Sequence, residues 1–128
     1  MQFQIIFAVA AGGAVGAVGR YLTIGQISHW FGGGFPYGTL AVNVIGSFIM
    51  GVFIEVFALA WSPSQMTRAF VTVGCLGAFT TFSTFSMEMV LMIERGETGP
   101  AAIYALASVV LSVLGLFAGL QIFRAVLV

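Results

Sequence analysis

The chain has 128 residues, of which 60% are hydrophobic and only 6% are charged, and its formal net charge is zero. A soluble domain carries roughly 25% charged residues, so this composition excludes an ordinary soluble domain and favours lipid as the solvent. Lysine is absent and the arginines are scattered, so the chain offers no basic patch to a nucleic acid.

Several apolar stretches are long enough to cross a bilayer, which requires about 20 residues each. They are predicted over residues 3–25, 37–60, 66–93 and 101–126. Short polar or glycine-rich connections separate them. We therefore expect an all-α membrane protein of one four-helix transmembrane domain that covers residues 1–128.

The third span has a clear start and a weak centre. Ser62 is expected to cap its N-terminus, with Pro63 at the first helical position and Gln65 completing a capping box. The stretch from Gly74 to Thr81 contains two glycines and two threonines, which favours a helix break at mid-membrane. Non-helical backbone at that depth is tolerated only where it is buried in protein or lines a cavity.

The arginines are divided evenly between the two predicted sides of the membrane. Arg68 and Arg124 belong to one side, and Arg20 and Arg95 to the other. The positive-inside bias that normally fixes orientation is therefore absent. We expect the chain to insert both ways and to pair with an inverted copy.

Small residues recur at four-residue spacing in the first and fourth spans, as Gly12-x-x-x-Gly16 and Gly115-x-x-x-Gly119. Such motifs let two helices approach closely. The contact can lie inside one subunit or between two subunits, and the motif alone does not choose between them.

Polar side chains inside the spans are costly in lipid and are therefore candidates for function. Asn43 stands out, because its amide has donors and an acceptor that one helix cannot satisfy, and it should face a partner or a pore. For each hydroxyl the ordinary expectation is a bond to its own helix. Together, however, they offer donors without fixed charge, which suits a small anion. These hydroxyl residues are Ser47, then Thr80, Thr81, Ser83, Thr84 and Ser86, and then the stripe of Tyr104, Ser108 and Ser112.

Phe79, Phe82 and Phe85 recur every three residues and would share one face of a continuous helix. Core packing is the ordinary interpretation of this stripe. The alternative uses the positive edge of the ring, which can face an anion without trapping it. Arg20, near the end of the first span, either snorkels to the interface or forms a positive vestibule.

No enzyme site is predicted. His29 is the only histidine and Cys75 the only cysteine, so the sequence has no cluster of metal ligands. It also has neither a nucleophile elbow nor a phosphate-binding loop.

At these residues the chain resembles the Fluc family of small fluoride channels, also called CrcB-type fluoride exporters. The matching stretches are Gly13–Tyr21, Gly38–Phe48 and Gly74–Phe85, of which the third is the most specific. The resemblance implies a passive channel that exports fluoride from the cytoplasm of a prokaryote across its cell membrane. It also implies an antiparallel, dual-topology homodimer with two pores at the subunit interface.

The resemblance further implies roles for individual residues. The backbone carbonyls of Gly77 and Thr80 would hold a central structural sodium ion, and Arg20 would form the vestibule. The residues of the fluoride path would be Phe82, Phe85, Asn43, Ser83, Thr84, Tyr104, Ser108 and Ser112.

Two other functions remain open at this point. A small dual-topology, proton-coupled cation exporter would need a carboxylate deep in the first span, where this sequence has only Arg20. A non-transporting membrane subunit would explain the glycines but not the polar side chains on three spans.

Overall fold

The computed structural model describes residues 2–128, and the regular structure in that range is helical. Its elements are α1 (Phe3–Phe31), α2 (Tyr37–Leu59), α3 (Gln65–Arg68), a π-helical segment (Ala69–Leu76), α4 (Gly77–Phe79), α5 (Ser83–Glu94) and α6 (Thr98–Leu127). The third span consists of α3, the π-helical segment, α4 and α5.

The four apolar helical stretches of the sequence are confirmed. Their mean hydropathies lie between 1.4 and 2.3, and each is long enough to cross a membrane. At most 28% of the most apolar window of any one of them is buried inside the chain. Surfaces so apolar and so exposed are typical of helices that face lipid, and the chain is a multi-pass membrane protein.

Two helices extend beyond the predicted spans. Helix α1 continues past Gly25 to Phe31 and ends at Gly32, whose φ of 81° suits only a glycine well. Helix α6 begins at Thr98, with Pro100 in its first turn, where the missing N–H of a proline has no helical acceptor to lose. The α1 extension mixes Ile27, Trp30 and Phe31 with polar residues, and the α6 extension is Thr98-Gly99-Pro100, so neither continues the uninterrupted apolar run of its span.

The N-terminal cap of the third span is Ser64 and not Ser62, so the predicted cap was wrong. Ser64 Oγ accepts a hydrogen bond of 3.2 Å from the Thr67 backbone N–H. Ser64 Oγ also donates a hydrogen bond of 3.1 Å to Thr67 Oγ1. Ser62 and Pro63 lie in the irregular connection that precedes the helix.

The third span changes its neighbour halfway along. Its π-helical segment and α4 pack on α1, whereas α5 packs on α6. The chain passes from one neighbour to the other at the non-helical residues Thr80–Phe82, where it crosses α2. A Cβ atom on Gly46 of α2 would overlap the Thr80 methyl group, so a larger residue at this crossing would displace the Thr80 side chain.

Both small-residue motifs pack inside the chain. Gly12 and Gly16 lie against the backbone of the π-helical segment, where a Cβ on Gly16 would overlap the Cys75 carbonyl. Gly119 of α6 faces the Phe48 carbonyl of α2 equally closely. The question that the sequence left open is therefore answered in favour of contacts within one subunit.

An ion pair between a half-exposed arginine and a buried glutamate joins α2 to α6. Arg124 Nη2 donates a hydrogen bond of 2.7 Å to Glu55 Oε1, and the Glu55 side chain is 7% exposed. The partner of Glu55 could not be chosen from the sequence, because the two residues are 69 positions apart.

Substituting Gly16 with alanine should disrupt the contact between α1 and the π-helical segment. Overpacking a tight contact costs about 1–3 kcal/mol of unfolding free energy, so Gly16→Ala is expected to lower the thermal unfolding temperature of the protein in detergent. Gly13→Ala is the matched control on the same helix, because nothing lies within 4 Å of a Cβ built there. Equal unfolding temperatures for the two variants would contradict this packing.

Candidate functional site

The helix break in the third span is held by the side chain of Asn43. Its Nδ2 donates a hydrogen bond of 3.0 Å to the Thr81 carbonyl, and its Oδ1 accepts one of 2.8 Å from the Thr81 N–H. The Asn43 amide thus satisfies both the N–H and the carbonyl group of Thr81. Thr81 is only 7% exposed, so these bonds satisfy backbone groups that water cannot reach.

The break withdraws the usual donors from two carbonyl oxygens. In a continuous helix the Thr81 N–H would bond the Gly77 carbonyl and the Thr84 N–H would bond the Thr80 carbonyl. Here the first donates to Asn43, and the second donates to Thr81 Oγ1 at 3.2 Å. The Gly77 and Thr80 oxygens are thereby left without their helical donors at the middle of the span. Carbonyl oxygens are suitable ligands for a hard cation, so Gly77 and Thr80 are the residues of the break that could contribute to a cation site.

A groove of about 340 Å³ opens on the surface beside the break, and we call it the central groove. It is lined by residues of α2, the break, α5 and α6: Asn43, Ser47, Thr80, Thr81, Phe82, Phe85, Ser108, Val109, Ser112 and Val113. The groove brings together six of the predicted site residues from three spans. No charged side chain lines it.

The hydroxyls at the site fall into two groups. Thr80 Oγ1 donates to the Leu76 carbonyl at 3.1 Å and Ser86 Oγ to the Phe82 carbonyl at 3.0 Å, as expected for hydroxyls in helices. Ser108 and Ser112 are different. Their buried Oγ atoms have no hydrogen-bond partner among the residues that the structure describes. Two uncommitted donors therefore lie along the wall of the central groove.

The three phenylalanines do not share a face, so that prediction was wrong. The break separates Phe79 from the other two, and the Phe79 ring packs at Gly19 and Gly46 instead. Phe82 and Phe85 stay together, with ring centroids 5.4 Å apart and planes tilted by 41°. Both line the central groove, and Phe82 is 76% exposed.

Tyr104 packs on Phe85 next to the central groove but does not line it. The side chain is fully buried, and its ring centroid lies 5.0 Å from that of Phe85 and 5.5 Å from that of Phe35. Its hydroxyl donates a hydrogen bond of 2.8 Å to Glu88 Oε1. This bond supplies the partner of Glu88 that the sequence left undecided.

Four other predicted residues lie outside the central groove. Gly77, Ser83 and Thr84 belong to the third span but are not part of its lining. Arg20 lies in a shallow hollow formed by residues of α1 alone. Because α1 continues to Phe31, Arg20 is about three turns from the end of its helix. One chain by itself does not bring Arg20 to the groove.

Thr39 was missed by the sequence analysis. It is 1% exposed, and its Oγ1 is buried. It stands four residues before Asn43, and Ser47 stands four residues after, so the three lie along one face of α2. The four-residue spacing of these three polar side chains could have identified Thr39 from the sequence.

Comparison with known proteins identifies the family. The model for the CrcB-like protein family, Camphor Resistance (CrcB), matches residues 7–120. The chain belongs to this family. Its CrcB match includes the whole break and every residue of the central groove.

Curated relatives extend the similarity over nearly the whole chain. The chain is 52% identical to the fluoride-specific ion channel FluC of Rhodospirillum centenum over 121 residues, which are 94% of this chain and 96% of that protein. It is 51% identical to the fluoride-specific ion channel FluC of Nitrobacter winogradskyi, over 98% of this chain and 100% of that protein. The FluC of Agrobacterium fabrum is 47% identical, over 91% of this chain and 93% of that protein.

Removing the Asn43 amide should destabilise the break specifically. Asn43→Ala leaves the Thr81 N–H and carbonyl unpaired, and each buried unsatisfied group costs about 1–3 kcal/mol. We expect a lower unfolding temperature and faster hydrogen exchange at the Thr81 amide. Ser47→Ala, one turn along the same groove, is the control and should change neither. If Thr81 is equally protected in both variants, Asn43 does not hold the break.

Proposed function

We propose that the chain is a passive, fluoride-selective ion channel that exports fluoride from the cytoplasm through the cell membrane of a prokaryote. The FluC proteins to which it is similar are named for fluoride conduction. The structural observation that supports the proposal most directly is the central groove, which places uncharged hydrogen-bond donors at the middle of the membrane span. A channel of this kind carries out no covalent chemistry, so the protein is not an enzyme.

Fluoride is a small, strongly hydrated anion, so its hydration shell must be replaced inside the protein. Ser108 and Ser112 offer hydroxyl donors that are already desolvated and unpaired. Asn43 uses one of its two amide hydrogens on Thr81, which leaves the other for the groove. Because none of these donors carries a full charge, none binds the anion too tightly for it to leave.

The rings of Phe82 and Phe85 would form an apolar constriction in the fluoride pathway. The edge of a phenyl ring is positive and attracts an anion weakly. A narrow passage lined by ring edges also disfavours the larger chloride ion, which needs more space. Tyr104, packed on Phe85, would lie at the end of this path, with Ser83 and Thr84 as a polar track along α5.

Two copies in opposite orientation would complete the pathway. The central groove is open along the side of one chain, and Phe82 is largely exposed there. The Asn43 amide and the serine hydroxyls in this groove would be costly to expose to lipid, so a second chain would cover them. An even distribution of arginines allows both orientations to insert. The inverted pair would form two equivalent pores at its interface, each with an Arg20 vestibule.

The Gly77 and Thr80 carbonyls would hold a central structural sodium ion between the two copies. Hard cations of this size take about six oxygen ligands, more than one break supplies. An inverted second chain would double the number of carbonyls around the two-fold axis. The positive charge would offset the electrostatic cost of an anion in the nearby low-dielectric pore.

No energy source is required for export. Fluoride enters a cell as the neutral acid and ionises inside. The negative interior then drives the anion outward, since each elementary charge gains about 2.3 kcal/mol per 100 mV. A passive pore is sufficient for this task.

Fluoride and chloride efflux from liposomes that contain the purified protein tests the proposal. We expect fluoride efflux without a proton gradient and little chloride efflux. Proton-driven cation movement would indicate an exporter instead, although α1 has no carboxylate to carry it. Absence of any transport would indicate a non-transporting subunit.

Replacing either ring of the constriction should reduce conduction while the fold is retained. Phe82→Ile or Phe85→Ile removes a ring edge but keeps an apolar side chain, so we expect fluoride efflux to fall at least tenfold with little change in unfolding temperature. Phe117→Ile is the control, because Phe117 is 55% exposed on α6 and does not line the groove. Unchanged efflux in both groove variants would reject the role of the ring edges.

The two unpaired serines should show opposite effects on stability and on conduction. Removing a buried hydroxyl that lacks a partner is neutral or stabilising for the fold. Ser108→Ala and Ser112→Ala are therefore expected to keep or raise the unfolding temperature while slowing fluoride efflux. Ser108→Thr, which restores a hydroxyl, should recover part of the efflux. If the alanine variants conduct normally, these hydroxyls do not replace hydration water.

A further inference from the structure

A second groove lies at the opposite end of α2 from the Gly32–Pro36 connection. It has a volume of about 390 Å³ and is formed between α2 and the third span. Its lining residues are Met50, Ile54, Phe57, Arg68, Thr72 and Val73, and we call it the Arg68 groove. It shares no residue with the central groove.

The guanidinium of Arg68 is not neutralised by a carboxylate. Arg124 is paired with Glu55 and Arg95 with Glu97, each at 2.7 Å, but within residues 2–128 Arg68 forms no ion pair. Its guanidinium carbon lies 5.0 Å from the centre of the Phe57 ring, a cation–π contact that orients the group. The edge of the guanidinium, with its hydrogen-bond donors, remains available to an anion.

The position of Arg68 matches the depth of a lipid headgroup. The Phe57 ring also packs edge-on against Trp61, at 5.5 Å between centroids, and Trp61 follows the end of α2. Tryptophans at the ends of membrane helices lie at the headgroup level. From Phe57 the apolar wall continues inward to Met50, about 10 Å along the helix axis.

We propose that the Arg68 groove binds an anionic phospholipid. The unpaired guanidinium would bind the phosphate through two parallel hydrogen bonds, the geometry that arginine prefers. One acyl chain would lie along Met50, Ile54 and Val73 toward the centre of the bilayer. The absence of a carboxylate from the lining favours a headgroup of net negative charge over a zwitterionic one.

Native mass spectrometry of the purified full chain in detergent tests this site. Phosphatidylglycerol and phosphatidylcholine of identical acyl composition would be titrated separately. We expect the wild type to retain phosphatidylglycerol several-fold better than phosphatidylcholine. Arg68→Gln should abolish this preference, whereas Arg95→Gln, which removes the same charge at the other end of the bundle, should leave it intact.

A second variant probes the apolar part of the groove without a change in charge. Val73 is 60% exposed, so Val73→Trp should fill the groove without disturbing the core, and should lower retention of both lipids. A thermal unfolding scan without lipid shows whether Arg68→Gln and Val73→Trp fold. If one of them does not fold, lipid retention by the other tests the proposal.

Three results would overturn the proposal. The first is an unchanged phosphatidylglycerol preference in Arg68→Gln. The second is competition by inorganic phosphate with no dependence on Val73, which would indicate an anion site without an acyl chain. The third is that Arg68→Gln or Val73→Trp no longer dimerises but still retains phosphatidylglycerol, which would show that a second copy of the chain occupies the groove. None of these results depends on fluoride conduction.

Discussion

A polar backbone group in lipid must find its partner within the protein, and the architecture of this chain depends on how Asn43 meets that requirement. A continuous third helix would have satisfied its own backbone but would have offered nothing polar to the middle of the membrane. The two bonds between the Asn43 amide and Thr81 replace helical hydrogen bonds that are lost where the third span is interrupted. The same bonds divert the N–H that would otherwise cover the Gly77 carbonyl. One side chain thus stabilises the break and leaves an oxygen free.

The break also explains the arrangement of the helices around it. Because the third span can change direction at Thr80–Phe82, its first part packs on α1 and its last part on α6. Gly46 permits the crossing over α2, and Gly12, Gly16 and Gly119 permit the close contacts on either side. The central groove forms where the crossing leaves the surfaces of α2, α5 and α6 incompletely covered. The close contacts at the glycines and the open central groove therefore both result from the crossing of the third span over α2.

The sequence predicted the parts of the fold that depend on local chemistry. Four apolar stretches and the weak centre of the third span follow from hydrophobicity and helix propensity, which act over a few turns. The break was predicted within Gly74–Thr81 and lies at Thr80–Phe82, at the end of that stretch, because the bonds that fix it come from Asn43 of α2. The phenylalanine stripe was misjudged for the same reason. The bonds of Glu55 to Arg124 and of Glu88 to Tyr104 needed the tertiary structure, since the partners are distant in sequence.

The division of the third span between two neighbours has a consequence for biosynthesis. The first part packs on α1, which is synthesised before it, whereas α5 packs on α6, which is synthesised after it. During translation α5 therefore enters the bilayer while Glu88 still lacks the Tyr104 hydroxyl. Insertion can proceed span by span, but the second half of the molecule can assemble only after synthesis of α6.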